Sequence, residues 1–263
     1  MIEREKKREC LGQSIGEKDV LGENEVSNND KVSKEKWLDF IRFLEAPLGF
    51  YDEPVYTPEE KKAIKDYRDL AFSFYSDLKT DGYVAFNQTF SLSDEAKAER
   101  DKDLRFFKIA MDISNKLLNI KEFGAEEQWL ILLSMYCWYS EMIKNLLLEE
   151  AKKIHKSLSG KAWKSFMTLG QFMCEMQRYK NGKHKALFSE IDVDLRNSFD
   201  HANIDFNDEI RYNDKGHNEK ILKLDQMLSM FKKIPALYTI LLRYRQKVFL
   251  EDVKSAAKKM GYL

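Results

Sequence analysis

One strongly apolar segment constrains the fold of this chain more than any other feature of its sequence. Between Ala125 and about Ser157, aliphatic and aromatic side chains recur at helical spacing, and the early part of the segment is apolar on almost every side. We therefore predict a helix at the centre of a helical bundle. Its inward-facing residues are Trp129, Leu132, Leu133, Tyr136, Ile143 and Leu147, with Leu130, Met135 and Trp138 widening the apolar arc.

Further helices are predicted before this segment. The sequence Thr57–Glu60 combines a capping threonine, a proline at the first turn and two acids, which predicts the start of a helix that continues to Gly82. Ser33 is expected to begin a short helix, and Ser93 is expected to begin a long helix that ends near Leu118. The small numbers of glycines (11) and prolines (4) among 263 residues agree with long helices and few turns.

The second half of the chain is predicted to contain further helices and a small β-hairpin. Helical patterns run from Trp163 to about Gly182 and from His184 to His201, and another begins at Asn218 and is interrupted at Pro235. Between Ile204 and Tyr212 the apolar residues alternate with a period of two, which predicts the hairpin.

The predicted fold class is all-α, with four to five bundled helices, a β-hairpin insert and an N-terminal helical extension. We expect a disordered arm at 1–32, the extension at 33–122 and the bundle at 123–263. The 44 basic and 44 acidic residues balance, so binding to nucleic acid requires a local patch. Three widely spaced cysteines, a charged N-terminus and the absence of a long apolar run predict a cytoplasmic protein without a disulfide framework or membrane contact.

The end of the helix predicted at 184–201 gathers the residues that are best suited to chemistry. At about 100° per residue, Arg196 and Asp200 share one face, while Asn197 and His201 share the neighbouring face. A guanidinium is a permanent cation for phosphate oxygens, and histidine is the side chain that titrates near neutral pH. The same spacing is also explained by a surface ion pair between Arg196 and Asp200 and by helix capping at His201.

The sequence R-N-S-F-D-H, followed by a hairpin and two closing helices, resembles the motif of the HEPN (higher eukaryotes and prokaryotes nucleotide-binding) family. Arg196, Asn197 and His201 match that motif, and the resemblance covers about Ala125 to Leu250. It implies an up-and-down bundle and, because many members are metal-independent endoribonucleases, the same reaction here. The implied products are a 2′,3′-cyclic phosphate and a 5′-OH, made by a toxin-like or defence effector.

The resemblance also implies a role for each motif residue. His201 transfers protons, Arg196 stabilises the phosphorane charge, and Asn197 orients the phosphate or the imidazole. Asp200 modulates the site by pairing with Arg196. Because one histidine cannot easily be acid and base at once, family members join two motif helices across a two-fold axis, which implies a homodimer. The candidate RNA-binding cations nearby are Lys183, Lys185 and Arg211.

A second interpretation comes from a different functional class. A catalytically inactive HEPN module that binds RNA, nucleotide or a partner protein fits the same motif, and the extension at 33–122 is then a docking or regulatory element. The family further implies an antitoxin or regulatory protein as a partner. His155, His184 and His217 have no carboxylates at ligand spacing, so neither a metal site nor a cofactor is expected.

Overall fold

The computed structural model describes residues 57–84, 124–163, 166–206 and 209–263. It also describes eight single positions in helical conformation, which are 34, 35, 38, 41, 42, 105, 112 and 116. The described residues form a mostly helical bundle with one small antiparallel sheet. The predicted all-α bundle with a β-hairpin is therefore confirmed.

The elements follow one another in the order of the chain. The helices are α1 (Pro58–Thr80), α2 (Ala125–Leu146), α3 (Leu148–Ser159), α4 (Leu169–Arg178), α5 (Val193–Asp200) and α6 (Leu224–Lys259). Two 3₁₀ turns, Tyr179–Gly182 and Lys185–Phe188, connect α4 to α5. The strands β1 (Asp205–Phe206), β2 (Glu209–Asn213) and β3 (Glu219–Lys223) form a sheet in the order β1-β2-β3. The motif helix α5 thus lies between α4 and the sheet in the chain.

Helix α1 begins as its sequence predicts and enters the same core as the later helices. The Thr57 hydroxyl accepts the Glu60 N–H at 3.2 Å, and the Glu60 carboxylate accepts the Thr57 N–H at 2.8 Å. These reciprocal bonds satisfy two N–H groups that the first turn leaves free. The inner face of α1 joins the main hydrophobic core through Tyr67, Ala71, Phe74, Tyr75 and Leu78. The predicted extension therefore contributes a helix to the bundle core. Its boundaries at 33 and 122 stay a prediction.

Helices α1 and α6 run in the same direction through this core. Glu60, near the start of α1, lies 3.5 Å from Lys232 in the early part of α6. Lys79, near the end of α1, lies 2.9 Å from Glu251 in the late part of α6. Because both contacts advance together along the two helices, the helices are parallel neighbours and form a groove between them.

The helix predicted from His184 to His201 is not continuous. The chain makes a 3₁₀ turn first, and α5 begins only at Val193. Asp192 caps α5, because its carboxylate accepts two N–H groups of the first turn at 2.9 and 3.0 Å. The Tyr136 hydroxyl donates to the carbonyl of Glu190 at 2.8 Å and accepts the Asp192 N–H at 2.6 Å. The break is therefore stabilised by hydrogen bonds from α2 that local periodicity does not reveal.

The predicted helix start at Asn218 and the predicted interruption at Pro235 are also wrong. Residues Glu219–Lys223 form β3, which pairs with β2 along its whole length. Helix α6 starts at Leu224 and continues through Pro235 without ending. Pro235 is buried, and its carbonyl accepts the Thr239 hydroxyl at 2.9 Å. Packing along the helix thus outweighs the proline, which costs about 3 kcal/mol in a helix interior.

Two other predicted helices are divided or shortened. The apolar segment from Ala125 is interrupted at Leu147, whose backbone leaves the helical range at φ −110°, ψ 15° although its side chain is fully buried. The helix predicted from Trp163 begins only at Leu169, where the Thr168 hydroxyl accepts the Gln171 N–H at 3.3 Å. Both differences concern the boundaries of elements rather than their type.

Several predictions fall on residues outside those the structure describes. These are the arm at 1–32, the caps Ser33 and Ser93, and most of the helix between Ser93 and Leu118. The described positions 34, 35, 38, 41 and 42 are helical, and Ile41 packs against the last turns of α6. Along the described part of the chain, no helix has the length and apolar character needed to cross a bilayer.

The cysteines within the described residues differ in exposure. Cys137 is buried in α2, as its apolar surroundings predict, and burial raises the pKa of its thiol to about 12. Cys174 is exposed on α4. Both are free thiols.

The segment after α4 is held against the end of α1 by hydrogen bonds and ion pairs. The Tyr179 hydroxyl donates to Asp81 at 2.9 Å, and the Lys183 ammonium lies 2.7 Å from Asp77. The Nε2 atom of His184 lies 2.8 Å from the same Asp77 carboxylate. The His184 ring is buried, and its Nδ1 has no hydrogen-bond partner among the described groups. Burial lowers the pKa of His184, although Asp77 acts in the opposite direction.

We expect the stability of the protein to fall as the pH is lowered below about 6.5, the usual histidine pKa. Because the pKa of His184 is lowered in the folded state, the unfolded chain binds this proton more readily, and acid favours unfolding. The contribution of His184 to the free energy of unfolding is complete above that pH and decreases by at most about 1.4 kcal/mol per pH unit below it. Urea denaturation between pH 7.5 and 5.0 should give a flatter profile for His184→Gln than for the wild type. The exposed His217→Gln variant is the control, and equal slopes for His184→Gln and the wild type would contradict the prediction.

Candidate functional site

Helix α5 carries the motif residues on its outer side and core residues on its inner side. Leu195 is fully buried, and Phe199 is half-buried against the main core. Ser198 is also buried, and its hydroxyl donates to the carbonyl of Asn213 in β2 at 3.4 Å. The helix is thus fixed between the core and the sheet, with His201 exposed at its end and Arg196 partly buried against α2.

Arg196 is the centre of a charged cluster between α5 and α2. Its Nη2 lies 2.8 Å from the Glu141 carboxylate, and its Nη1 lies 2.8 Å from Asp200. The same Nη1 donates to the Asn197 side-chain oxygen at 3.3 Å. Glu141 forms a second ion pair with Lys144, whose side chain is buried. The two cations and two carboxylates balance, so the charge of Arg196 is compensated within one copy of the chain.

His201 ends α5 and exposes its ring. Its backbone N–H donates to the Asn197 carbonyl at 3.0 Å, and the following Ala202 has a left-handed backbone with φ 53°. The predicted capping position is therefore confirmed. Within the part of the chain that the structure describes, the imidazole makes no hydrogen bond or ion pair, and the residue is exposed. The ring is free to meet another molecule.

One copy of this cluster supplies only part of the chemistry that phosphoryl transfer requires. The exposed imidazole of His201 can serve as an acid or as a base in one step. The guanidinium of Arg196 can bind a phosphate only by exchanging at least one carboxylate partner for it. Phosphoryl transfer that uses both an acid and a base would therefore need a further proton-transfer group beside this cluster.

The three cations that the sequence suggested for RNA binding do not contact the motif residues. Lys183 pairs with Asp77 of α1 at 2.7 Å. Arg211 lies 2.6 Å from Glu209 and 3.7 Å from Glu219, both within the sheet. Lys185 lies exposed in the second 3₁₀ turn. Two of these cations are thus compensated by carboxylates, and their role in binding stays a prediction.

A second histidine cluster connects α3 to α4. His155 Nδ1 lies 3.0 Å from the buried Glu175 carboxylate, and its Nε2 lies 3.1 Å from the Ser159 hydroxyl. The Ser159 hydroxyl also donates to the His155 carbonyl at 2.8 Å, a bond that serine commonly makes one turn back along a helix. This cluster therefore stabilises the end of α3. Among the described residues, no group of three or more histidines, cysteines and acids is arranged to hold a metal ion.

A set of cations that the sequence analysis missed lies between α1 and α6. Lys61, Lys65 and Arg68 line one side of a depression of about 730 Å³, and Arg243 and Lys247 line the other. The spacing of four and three residues on α1, and of four on α6, places each set on one helix face. That spacing is visible in the sequence, but only the parallel packing of α1 against α6 shows that the two sets meet.

Comparison with known proteins identifies no relative of this chain. No family model matches the sequence, and no curated protein and no solved structure is significantly similar to it. The fold and the charged cluster describe this protein as a helical bundle that carries Arg196, Asn197 and His201 at the end of a short helix.

Proposed function

We propose that this protein is a metal-independent endoribonuclease of the HEPN type. The observation that carries the proposal is the free, exposed imidazole of His201 at the end of the helix that also holds Arg196 and Asn197. These are the groups that RNA cleavage needs without a metal, namely a proton-transfer group, a fixed cation and an orienting amide. The proposal includes the family's setting, a cytoplasmic toxin or defence effector with an antitoxin or regulatory partner.

The proposed reaction is an intramolecular transfer of the phosphoryl group. His201 of one copy removes the proton from a ribose 2′-OH, and the oxygen attacks the adjacent phosphorus. The bond from phosphorus to the 5′-oxygen breaks, and the leaving oxygen receives a proton from His201 of a second copy. Arg196 stabilises the additional charge on the nonbridging oxygens. The products are a 2′,3′-cyclic phosphate and a 5′-OH.

The mechanism requires two copies of α5 to face each other across a two-fold axis. Each copy contributes one imidazole, so that one acts as the base while the other acts as the acid. The exposure of His201 at the end of α5 supports this arrangement. A homodimer is therefore part of the proposal.

The second candidate is a catalytically inactive module that binds RNA, a nucleotide or a partner protein. The observation in its favour is the pair of carboxylates, Glu141 and Asp200, which occupy both ends of the Arg196 guanidinium at 2.8 Å. An arginine held in this way attracts a phosphate less than a free one does.

One assay distinguishes the two candidates. Purified wild-type protein is incubated with mixed-sequence RNA in the presence of a metal chelator, and the ends of the products are identified. Fragments with a 2′,3′-cyclic phosphate support the nuclease. Intact RNA across the tested pH range, together with measurable RNA binding, supports the inactive module instead.

Removing the Asp200 carboxylate beside Arg196 should increase cleavage. Asp200→Asn keeps the side-chain shape but frees Nη1 of the guanidinium for a phosphate. Glu141 is left in place because it is also the partner of the buried Lys144. Because a partly exposed ion pair contributes up to about 1 kcal/mol, we expect a rise of roughly two- to fivefold in the cleavage rate at subsaturating RNA. Asp225→Asn removes the same charge elsewhere and should leave the rate unchanged. A lower rate in Asp200→Asn would show that the carboxylate positions Arg196 productively.

A further inference from the structure

The groove between α1 and α6 gathers several exposed cations that have no carboxylate partner within the described ranges. Near the motif, by contrast, Lys183, Arg196, Arg211 and Lys220 are paired with carboxylates at 2.6–3.7 Å. Among the described residues, no carboxylate forms an ion pair with Lys61, Lys65, Arg68 or Lys247, and all four are exposed. These four side chains therefore concentrate positive charge, without a direct counter-charge from the described part of the chain, along one groove of a chain that has no net charge.

The cations are spaced along the groove rather than gathered at one point. On α1, Lys61 and Lys65 are separated by about 6 Å along the helix axis, and Arg68 follows about 4.5 Å later. Lys247 and Arg243 provide a second row on α6, one helical turn apart. Because α1 and α6 are parallel, the two rows follow the same axis on either side of the groove. A row of this kind fits an extended polyanion better than it fits a single phosphate.

Aromatic rings lie in and beside the same groove. Tyr244 lines the depression between the cation rows, and the Phe72 ring lies 6.1 Å from it. Phe72 follows Arg68 by one turn and is 59% exposed, which is unusual for so large an apolar side chain. The Tyr244 ring is itself stacked on the buried Tyr75 at 6.5 Å, which fixes its position. Phe72 is thus exposed and Tyr244 is partly buried, and aromatic rings beside a basic track are the features with which proteins hold unpaired bases.

We infer that the α1–α6 groove binds single-stranded RNA, with its cations on the phosphates and with Phe72 and Tyr244 against the bases. The inference takes RNA as the substrate class from the proposed function, but it does not require that the protein cleaves RNA. An anionic membrane surface would use the same cations, but it would not need the paired rings. The combination of the two features therefore favours a nucleic acid.

The test measures RNA binding in the His201→Ala background, so that cleavage cannot remove the probe. A fluorescent single-stranded RNA of mixed sequence is titrated at several salt concentrations with four proteins, namely the His201→Ala parent, a groove variant, a matched control and Phe72→Ala. The groove variant is Lys61→Gln, Lys65→Gln, Lys247→Gln. The matched control, Lys62→Gln, Lys258→Gln, Lys259→Gln, loses the same three charges from the same two helices outside the groove.

The groove variant should bind RNA roughly tenfold or more weakly than the control at low salt. The slope of log affinity against log salt should decrease by about 2, because each phosphate contact on a single strand contributes about 0.7. Phe72→Ala, a change at an exposed position, should weaken binding by about fivefold or more with an unchanged salt slope.

Equal affinities for the groove and control variants would overturn the inference. Binding to phosphatidylserine vesicles without binding to RNA would also overturn it and would identify a membrane surface instead. The outcome is separate from that of the proposed function. Groove-dependent binding with no cleavage by the wild type refutes only the nuclease, whereas cleavage by the wild type together with equal RNA affinities for the groove and control variants refutes only the groove.

Discussion

The variant Glu150→Gln is expected to lower the free energy of unfolding by about 3–5 kcal/mol, the largest loss of stability among the changes considered. Glu150 in α3 and Arg245 in α6 are both fully buried, and their charged groups lie 3.2 Å apart. The Arg245 guanidinium also donates to the carbonyl of Leu146, at the end of α2. Replacing the carboxylate by an amide of the same shape removes this negative charge from beside the buried cation. Urea denaturation at neutral pH measures the change.

The neighbouring residue provides a matched control for this prediction. Glu149 precedes Glu150 on α3, but it pairs with Lys152 at the surface, where both side chains are at least one-third exposed. Exposed pairs contribute at most about 1 kcal/mol, so Glu149→Gln should change the stability little. The double variant Glu150→Leu, Arg245→Met removes both buried charges and should recover most of the loss. A loss below about 1 kcal/mol for Glu150→Gln would contradict the prediction.

The parts of the fold that could be predicted from the sequence are those fixed by neighbours along the chain. The capping box at Thr57 and the hairpin between β1 and β2 depend on residues a few positions apart, and both are confirmed. The strand β3 and the continuous helix through Pro235 depend on distant partners instead. Strand β3 exists because β2 offers it a complete ladder, and the Glu219–Lys223 sequence carries no turn signal that separates it from the helix that follows.

The candidate site shows the same division between local and distant interactions. The pair of Arg196 and Asp200 follows from a spacing of four residues on a helix, and it is confirmed at 2.8 Å. The second carboxylate, Glu141, comes from α2 and could not be found from the motif helix alone. The compensation of the Arg196 charge, which bears directly on the proposed catalysis, is therefore a tertiary property.

Replacing His201 by alanine is expected to reduce the rate of RNA cleavage by at least about 100-fold, within the range of about 10²–10⁴ that a positioned acid or base contributes. The reason is that His201 has the one free imidazole in the motif, and in a symmetric dimer the change removes the base and the acid together. The fold should be unaffected, because the ring is exposed and the capping bond to Asn197 comes from the backbone. The alanine and wild-type proteins should therefore unfold at the same urea concentration.

The control and the dimer prediction can be examined in the same experiment. His217→Ala changes an exposed histidine in the turn between β2 and β3, and this variant should cleave RNA at the wild-type rate.

If two copies share the site, mixing wild-type protein with an excess of His201→Ala protein should lower the wild-type activity as mixed dimers form, because each mixed dimer lacks one imidazole. Activity that only follows the amount of wild-type protein would indicate that each copy acts alone. Activity that survives in His201→Ala itself would exclude this histidine from the reaction and would move the search for the catalytic groups away from α5.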